Sequence, residues 1–410
     1  TEIMDLNNIP NINILWATLI IEELVRNGVS DFFIAPGSRS APLAIAAAQH
    51  KEAKKYVHFD ERGLSFFALG KIAASKKPAA LISTSGTAVA NFFPAVIETS
   101  KKKLPLILLT ADRPPELLNT GALQTIDQKQ IYGKYTRWEC EMPVPDPEIP
   151  AEMVLTTIDQ AVFKAKYPEP GPVHINCAFR EPLSLQEVAG EKPFYSRRMT
   201  QWIASVSPFT SYVMDGERAA YPMEEDILSK IQDKNGIIVV GKLGHDEERT
   251  AVLDVAKELN WPIFPDISSG LRVGFESDLL IPYYDKILGT TVLDRFDIDT
   301  VLHLGGRITS KSFYAYIKRK TPDNYITVLN HYLRNDPLHC VTDRIKSGIL
   351  PFINSLLLQL KSNGSNPHLD YIRRCNRLID QYYREFDAKQ IKLSEISLAR
   401  ILSTHIPADN

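Results

Sequence analysis

The sequence predicts an α/β protein built from two doubly wound parallel sheets, on three observations. Short apolar runs of strand length recur without alternating polar residues, which marks strands buried on both faces. Helical stretches of roughly 10 to 15 residues separate them, as crossovers between parallel strands require. The same grammar occurs twice, on either side of a polar stretch at residues 186–223, and 410 residues suffice for two or three domains that each bury a core.

In order, apolar residues at Ala17, Ile20, Ile21, Leu24 and Val25 recur at helical spacing between Asn11 and Gly28, and Gly28 suits the position just past a helix end. Asp31 to Ala35 reads as a strand stopped by Pro36-Gly37, and Ala41 to Gln49 as a helix. Strand Tyr56 to Phe59, helix from Asp60, strand Ala79 to Ser83, helix from Thr87 and strand Leu104 to Thr110 continue the pattern. Helix Ala151 to Lys166 and strand Pro172 to Cys177 complete a first domain, residues 1–185. Residues 186–223 are polar with scattered aromatics and Pro208, so they read as a linker over the surface. The second domain, residues 224–360, repeats the theme: strand Ile237 to Val240, helix Glu247 to Leu259, strands Pro262 to Phe264 and Thr300 to Leu304, helix Ser312 to Lys320, strand Tyr325 to Leu329, helix Leu350 to Leu360. Residues 361–410 hold a linker, Lys361 to Pro367, then helices His368 to Phe386 and Ser394 to His405. No strand follows before Asn410, so the expectation is that these helices lead toward a third α/β domain absent from this sequence.

Composition narrows the function. A net charge of −2 from 47 basic and 49 acidic residues provides no field to attract nucleic acid or an anionic membrane. No apolar run approaches the ~18 residues of a membrane span, and the first residues carry no secretory pattern. Cys140, Cys177, Cys340 and Cys375 lie far apart with no C-x-x-C pair, which points to reduced thiols in a cytoplasm and to no zinc site.

Ligands of open parallel sheets collect at the carboxyl ends of the strands, where helix N-termini and free amides converge. After the first strand stands Ala35-Pro36-Gly37-Ser38-Arg39-Ser40, a tight turn in which Ser38 and Ser40 can cap the next helix and Arg39 offers a planar fork to a carboxylate or phosphate. An ordinary capped turn with a solvated arginine accounts for it equally. After the second stands His58-Phe59-Asp60-Glu61-Arg62-Gly63, where Asp60 suits an N-cap and Glu61 either complements the helix dipole or moves a proton to a heterocyclic nitrogen. After the third comes Ser83-Thr84-Ser85-Gly86-Thr87, an anion-tolerant helix start that matches neither G-x-G-x-x-G nor the P-loop. After the fourth comes Asp112-Arg113-Pro114-Pro115-Glu116, with Gln124 further on.

Together the segments I-A-P-G-S-R-S, H-F-D-E-R-G, T-S-G-T-A-V-A-N and A-D-R-P-P-E-L, in this order and spacing, resemble the pyrimidine-binding domain of thiamine-diphosphate-dependent enzymes. More narrowly, P-G-S-R-S and D-R-P-P-E-L are similar to the menaquinone-pathway branch, a group of carboligating transferases. The resemblance is close over Asn11 to Leu185 and looser over the second domain, which would be the family's central, Rossmann-like and cofactor-free domain. It implies joining of 2-oxoglutarate to isochorismate with loss of carbon dioxide. It also implies Glu61 hydrogen-bonded to the aminopyrimidine N1′, Pro36, Thr84 and Gly86 beside the cofactor, and Ser38, Arg39, Arg113 and Gln124 on the acidic substrates. A lysine of the central domain would reach the substrate, with Lys286 the nearest match. Such enzymes hold the diphosphate and its Mg²⁺ or Mn²⁺ with a G-D-G motif in a third domain. No G-D-G occurs in this sequence, so no metal ligand is expected in it, and the chain alone is expected to be inactive and to bind thiamine diphosphate weakly or not at all. A homodimer or homotetramer is the implied assembly. The alternatives are another thiamine-diphosphate 2-oxoacid enzyme, acetolactate-synthase-like, and a non-catalytic interaction module of the same fold.

In the second domain, Gly241-Lys242-Leu243-Gly244 after a strand is a weak candidate for a nucleotide-binding turn, and Gly305-Gly306-Arg307 is a tight turn before it is an anion contact. The helix His368 to Phe386, with Arg373, Arg374, Arg377 and Arg384, reads as half-buried with a basic face.

Overall fold

The computed structural model describes residues 9–188, 197–212, 221–331, 335–361, 366, 368–389 and 393–405. The chain divides into two compact units, Thr1–Met214 and Asp215–Asn410. No helix among the described residues is long and apolar enough to cross a membrane.

In the first unit the elements run α1 (Ile12–Arg26), β1 (Asp31–Ile34), α2 (Ala41–Gln49), β2 (Lys54–Val57), α3 (Glu61–Ser75), β3 (Ala79–Ser83), α4 (Thr87–Asn91), α5 (Phe93–Lys102), β4 (Leu106–Asp112), β5 (Trp138–Met142), α6 (Ala151–Lys166), β6 (Pro172–Ala178) and α7 (Arg197–Ile203). The six strands are ordered β2-β1-β3-β4-β6-β5, and every pair is parallel. Alternate strand residues feed opposite cores. Phe32, Ile82 and Leu109 pack with α1, α2 and α6, while Phe33, Leu81 and Leu108 pack with α3, α4 and α5. Each such fully buried side chain contributes roughly 1.5 to 3 kcal/mol, which is why strands apolar on both faces commit to the centre of the sheet. Helix starts follow their capping chemistry: Asn11 accepts from the Ile14 amide before α1, and Asp60 from the Arg62 amide before α3.

The second unit runs α8 (Glu225–Ser229), β7 (Gly236–Val240), α9 (Asp246–Leu259), β8 (Ile263–Pro265), α10 (Tyr284–Leu288), β9 (Thr300–Leu304), α11 (Lys311–Lys320), β10 (Asn324–Leu329), β11 (Asp343–Lys346), α12 (Ile349–Leu357), α13 (Leu369–Lys389) and α14 (Glu395–His405). Its five-stranded sheet, β11-β10-β9-β7-β8, is again parallel, with cores on both faces.

Several expectations need correction. The second strand lies at Lys54–Val57 rather than Tyr56 to Phe59, and it is an exposed edge whose successor Phe59 is 85% exposed. The helix expected from Thr87 breaks at Phe92 because Pro94 opens a new one. Two charged edge strands, β5 and β11, were not foreseen. The stretch expected as a linker contains α7, whose Met199 and Trp202 are buried against the first unit. Residues 189–196 and 213–220 of that stretch, and most of the Lys361 to Pro367 linker, lie outside the described residues. Ser40 does not cap α2; its hydroxyl donates to the Gly37 carbonyl at 3.1 Å.

Candidate active site

The parallel sheet of the first unit brings the four loaded strand ends to one carboxyl edge. There Gly37 lies against Thr84. A Cβ added to Gly37 would stand 2.3 Å from Thr84 Cβ, so the turns after β1 and β3 touch only because position 37 lacks a side chain. Gly86 has φ +84°, and a Cβ there would meet Gln124 Cγ at 2.9 Å.

Arg113 ties the β3 turn to the loop after β4. Its Nη1 donates to Ser85 Oγ at 2.9 Å and its Nη2 to the Leu123 carbonyl at 3.0 Å. Ser85 Oγ donates to the Gln124 carbonyl at 3.0 Å, and Gln124 Nε2 returns a bond to the Ser85 carbonyl at 3.2 Å. Arg113 and Gln124 are therefore joined through Ser85, a residue the motif reading did not single out.

Arg39 corrects the picture of a solvated or outstretched guanidinium. It is 8% exposed, donates from Nη1 to the Phe179 carbonyl at 2.9 Å, and pairs with Glu181 at 3.4 Å. Burial, and then the charge of Arg113, pull its pKa below the ordinary value. Its Nε is buried without a hydrogen-bond partner among the described residues, as is Ser83 Oγ at the end of β3. Buried polar atoms without a partner are uncommon in folded proteins, and these two lie in the turn after β1 and at the end of β3.

Glu61 occupies the first turn of α3 and is half-buried. Asn91, the last residue of α4, donates to Glu61 Oε2 at 3.2 Å. Asn91 ends the quoted T-S-G-T-A-V-A-N segment, so its position was legible but its partner was not. Pro36 and Ser38 are exposed in the β1 turn, Thr84 is buried and Gln124 exposed.

Below the rim lies a buried polar layer that motif reading missed: Gln128, Asn176, Thr110, His174 and Asp112. Burial raises the Asp112 carboxyl above its usual range, against the hydrogen bond from Asn176. No local signal distinguishes Gln128 from its neighbours in an irregular loop.

In the second unit Lys286 is exposed on α10, a helix of 5 residues. The Gly241–Gly244 turn is closed to nucleotides: Gly244 N–H donates to Glu248 Oε2 at 2.6 Å, so the chain's own carboxylate occupies the start of α9. Gly306 N–H donates to the Lys242 carbonyl at 3.0 Å, and a Cβ on Gly241 would stand 1.9 Å from the Gly306 oxygen. Two arginines of α13 serve structure, Arg373 donating to the Asp278 carbonyl and Arg384 to Asp380, while Arg374 and Arg377 are exposed.

Comparison with known proteins identifies the family. Residues 16–131 match the family described as "Thiamine pyrophosphate enzyme, N-terminal TPP binding domain", and residues 194–410 the one described as "Middle domain of thiamine pyrophosphate". The chain is 37% identical over 409 residues to a protein of Salinibacter ruber named 2-succinyl-5-enolpyruvyl-6-hydroxy-3-cyclohexene-1-carboxylate synthase, covering 98% of this chain and 68% of that one. A protein of the same name from Chlorobium phaeobacteroides is 39% identical over 406 residues, with 98% and 68% covered. Protein PHYLLO of Arabidopsis thaliana, a chloroplast protein, is 40% identical over 381 residues, 87% of this chain and 22% of its own length.

Proposed function

We propose, for a chain that belongs to the thiamine-diphosphate-dependent family of 2-succinyl-5-enolpyruvyl-6-hydroxy-3-cyclohexene-1-carboxylate synthases, that its first unit supplies the pyrimidine-side half of a carboligase site. The reaction, in menaquinone synthesis, joins 2-oxoglutarate to isochorismate with release of carbon dioxide. The observation that supports the assignment of residues is that Arg39, Glu61 and Arg113 follow β1, β2 and β4 on one carboxyl edge of the parallel sheet, with Arg39 Nε and Ser83 Oγ buried and unpartnered among the described residues.

These residues fit the cofactor. Asn91 engages Glu61 Oε2 and leaves Oε1 as an acceptor, which suits a pyrimidine N1′ that gains and loses a proton. When bound, thiamine diphosphate supplies a nucleophilic thiazolium carbon and a sink for the electron pair that carbon dioxide leaves behind. Glu61 holds and returns the proton at N1′ from the first turn of α3. Pro36, Thr84 and Gly86 form the turns that border the ring. Arg39, Arg113, Ser38 and Gln124 bind the carboxylates and hydroxyls of the two substrates. Two guanidinium groups drawn partly out of water grip a carboxylate more strongly than solvated ones do. Lys286 is proposed as a further substrate contact. Mg²⁺ or Mn²⁺ accompanies the diphosphate, with no ligand assigned in this chain. A homo-oligomer in the cytoplasm completes the reading.

Glu61→Gln in the full-length enzyme is the test. Turnover of 2-oxoglutarate with isochorismate should fall at least about a hundredfold, the lower range for losing a general acid–base group, with the far-ultraviolet circular dichroism unchanged. Retention of normal turnover overturns the assignment.

A further inference from the structure

Gln128 is 1% exposed and uses its whole side-chain amide. Oε1 accepts from the Gly86 amide at 2.8 Å, while Nε2 donates to the Ala111 carbonyl at 3.1 Å and to Asn176 Oδ1 at 2.7 Å. The orientation admits no flip, because an N–H needs the oxygen and a carbonyl needs the nitrogen. Asn176 continues the chain. Its Oδ1 also accepts from Thr110 Oγ1 at 2.9 Å, and its Nδ2 donates to Asp112 Oδ2 at 2.8 Å and to Glu141 Oε2 at 2.9 Å. Asp112 Oδ1 then accepts the Arg113 amide at 2.7 Å.

The relay Gly86–Gln128–Asn176–Asp112–Arg113 thus starts beside Ser85 and ends on Arg113, and these two residues are themselves hydrogen-bonded at 2.9 Å. The circuit closes. Gln124 holds a positive φ of +56°, which a residue with a Cβ adopts only when its surroundings impose it, while Gly86 at +84° supplies a turn that glycine alone takes without strain. To the two bonds between Ser85 and Gln124 the relay adds a tie from below, through the neighbouring Gly86 amide.

We propose that Gln128 is a positioning residue for carboxylate recognition: through the Gly86 amide and Asn176 it fixes the Arg113–Ser85–Gln124 clamp in its binding arrangement. It touches no substrate. This assignment rests on the carboligase reading, which gives Arg113 and Gln124 to the acidic substrates.

Gln128→Met keeps the length and removes all three hydrogen bonds. In the full-length enzyme we expect KM for the dicarboxylate substrates to rise about tenfold while kcat stays within about threefold, the signature of lost binding rather than lost chemistry. In this chain, Gly86 amide hydrogen exchange should become about tenfold faster. Gln128→Glu retains the acceptor for Gly86 but sets a second oxygen against Ala111 O and Asn176 Oδ1, so its KM should recover as acid protonates it, a pH profile absent from the unsubstituted enzyme. Should Gln128→Met not fold, Gln128→Glu decides through that profile. Lower thermal stability with unchanged KM and unchanged Gly86 exchange overturns the proposal. An unsubstituted enzyme that ligates no substrate removes the carboligase reading instead; the clamp then stands on faster Gly86 exchange and falls without it.

Discussion

Arg39 shows how a residue's role depends on partners far along the chain. Its type and place after the first strand were plain in P-G-S-R-S, whereas its burial depends on Phe179 and Glu181, about 140 positions away, which no local pattern announces. Gly37 is a similar case. A turn glycine was evident, yet its φ is unexceptional, and the reason for glycine is contact with Thr84 from the next strand end. Gly37→Ala should therefore destabilise the first unit by about 1 to 3 kcal/mol, the usual cost of overfilling a packed site, and Thr84→Ser in the same chain should recover part of it by removing a methyl. Urea unfolding of the single and double variants checks this; an unchanged midpoint for Gly37→Ala would mean that the two turns part freely.

At the scale of elements, the buried strands β3 and β4 and the Asp60 cap were legible because their signals are local, whereas the break that Pro94 makes was read as one continuous helix. The edge strands β5, Trp-Glu-Cys-Glu-Met, and β11, Asp-Arg-Ile-Lys, were not legible, because charges that keep an edge from aggregating also hide it among loops. The strap around α7 was missed for another reason: two buried carboxylates hold it. Trp202 Nε1 donates to Glu23 Oε2 at 2.7 Å, the Phe209 amide to Glu23 Oε1 at 2.6 Å, and the Thr210 amide to Asp159 Oδ2 at 2.7 Å. Burial, then the adjacent Asp159, raise the Glu23 pKa from 4.5 to about 9. The folded chain thus keeps a proton that the unfolded chain releases. That contribution is complete below the ordinary carboxylate value and is lost as pH rises through about 9. Lys103, lowered by burial from 10.5 to about 8, acts with opposite sign, adding stability as pH climbs between those values. We expect the urea midpoint of the first unit to fall as pH rises from the ordinary carboxylate value to about 8, above which Lys103 opposes the decline, and Glu23→Gln to flatten that fall. A Glu23→Gln profile parallel to the unsubstituted one would show that Glu23 is not the titrating group.

For the whole molecule, periodicity alone sufficed to place two parallel sheets, since alternate strand residues enter opposite cores in both units. The strand orders follow from crossovers that sequence does not encode locally, so the neighbours of β1 and β7 came only with the structure. No G-D-G occurs in these 410 residues, and the chain covers 68% of the Salinibacter relative. We accordingly expect calorimetric titration of thiamine diphosphate into this chain alone, with Mg²⁺, to show no micromolar binding; a micromolar isotherm would assign the diphosphate to residues described above. The second sheet carries a consequence of its own. Where Gly306 N–H meets the Lys242 carbonyl and Gly241 N–H meets the Leu304 carbonyl, the two turns are stitched into a seam. An engineer wishing to install a phosphate pocket there must first unpick those stitches, because the amides that would greet an anion are already spoken for.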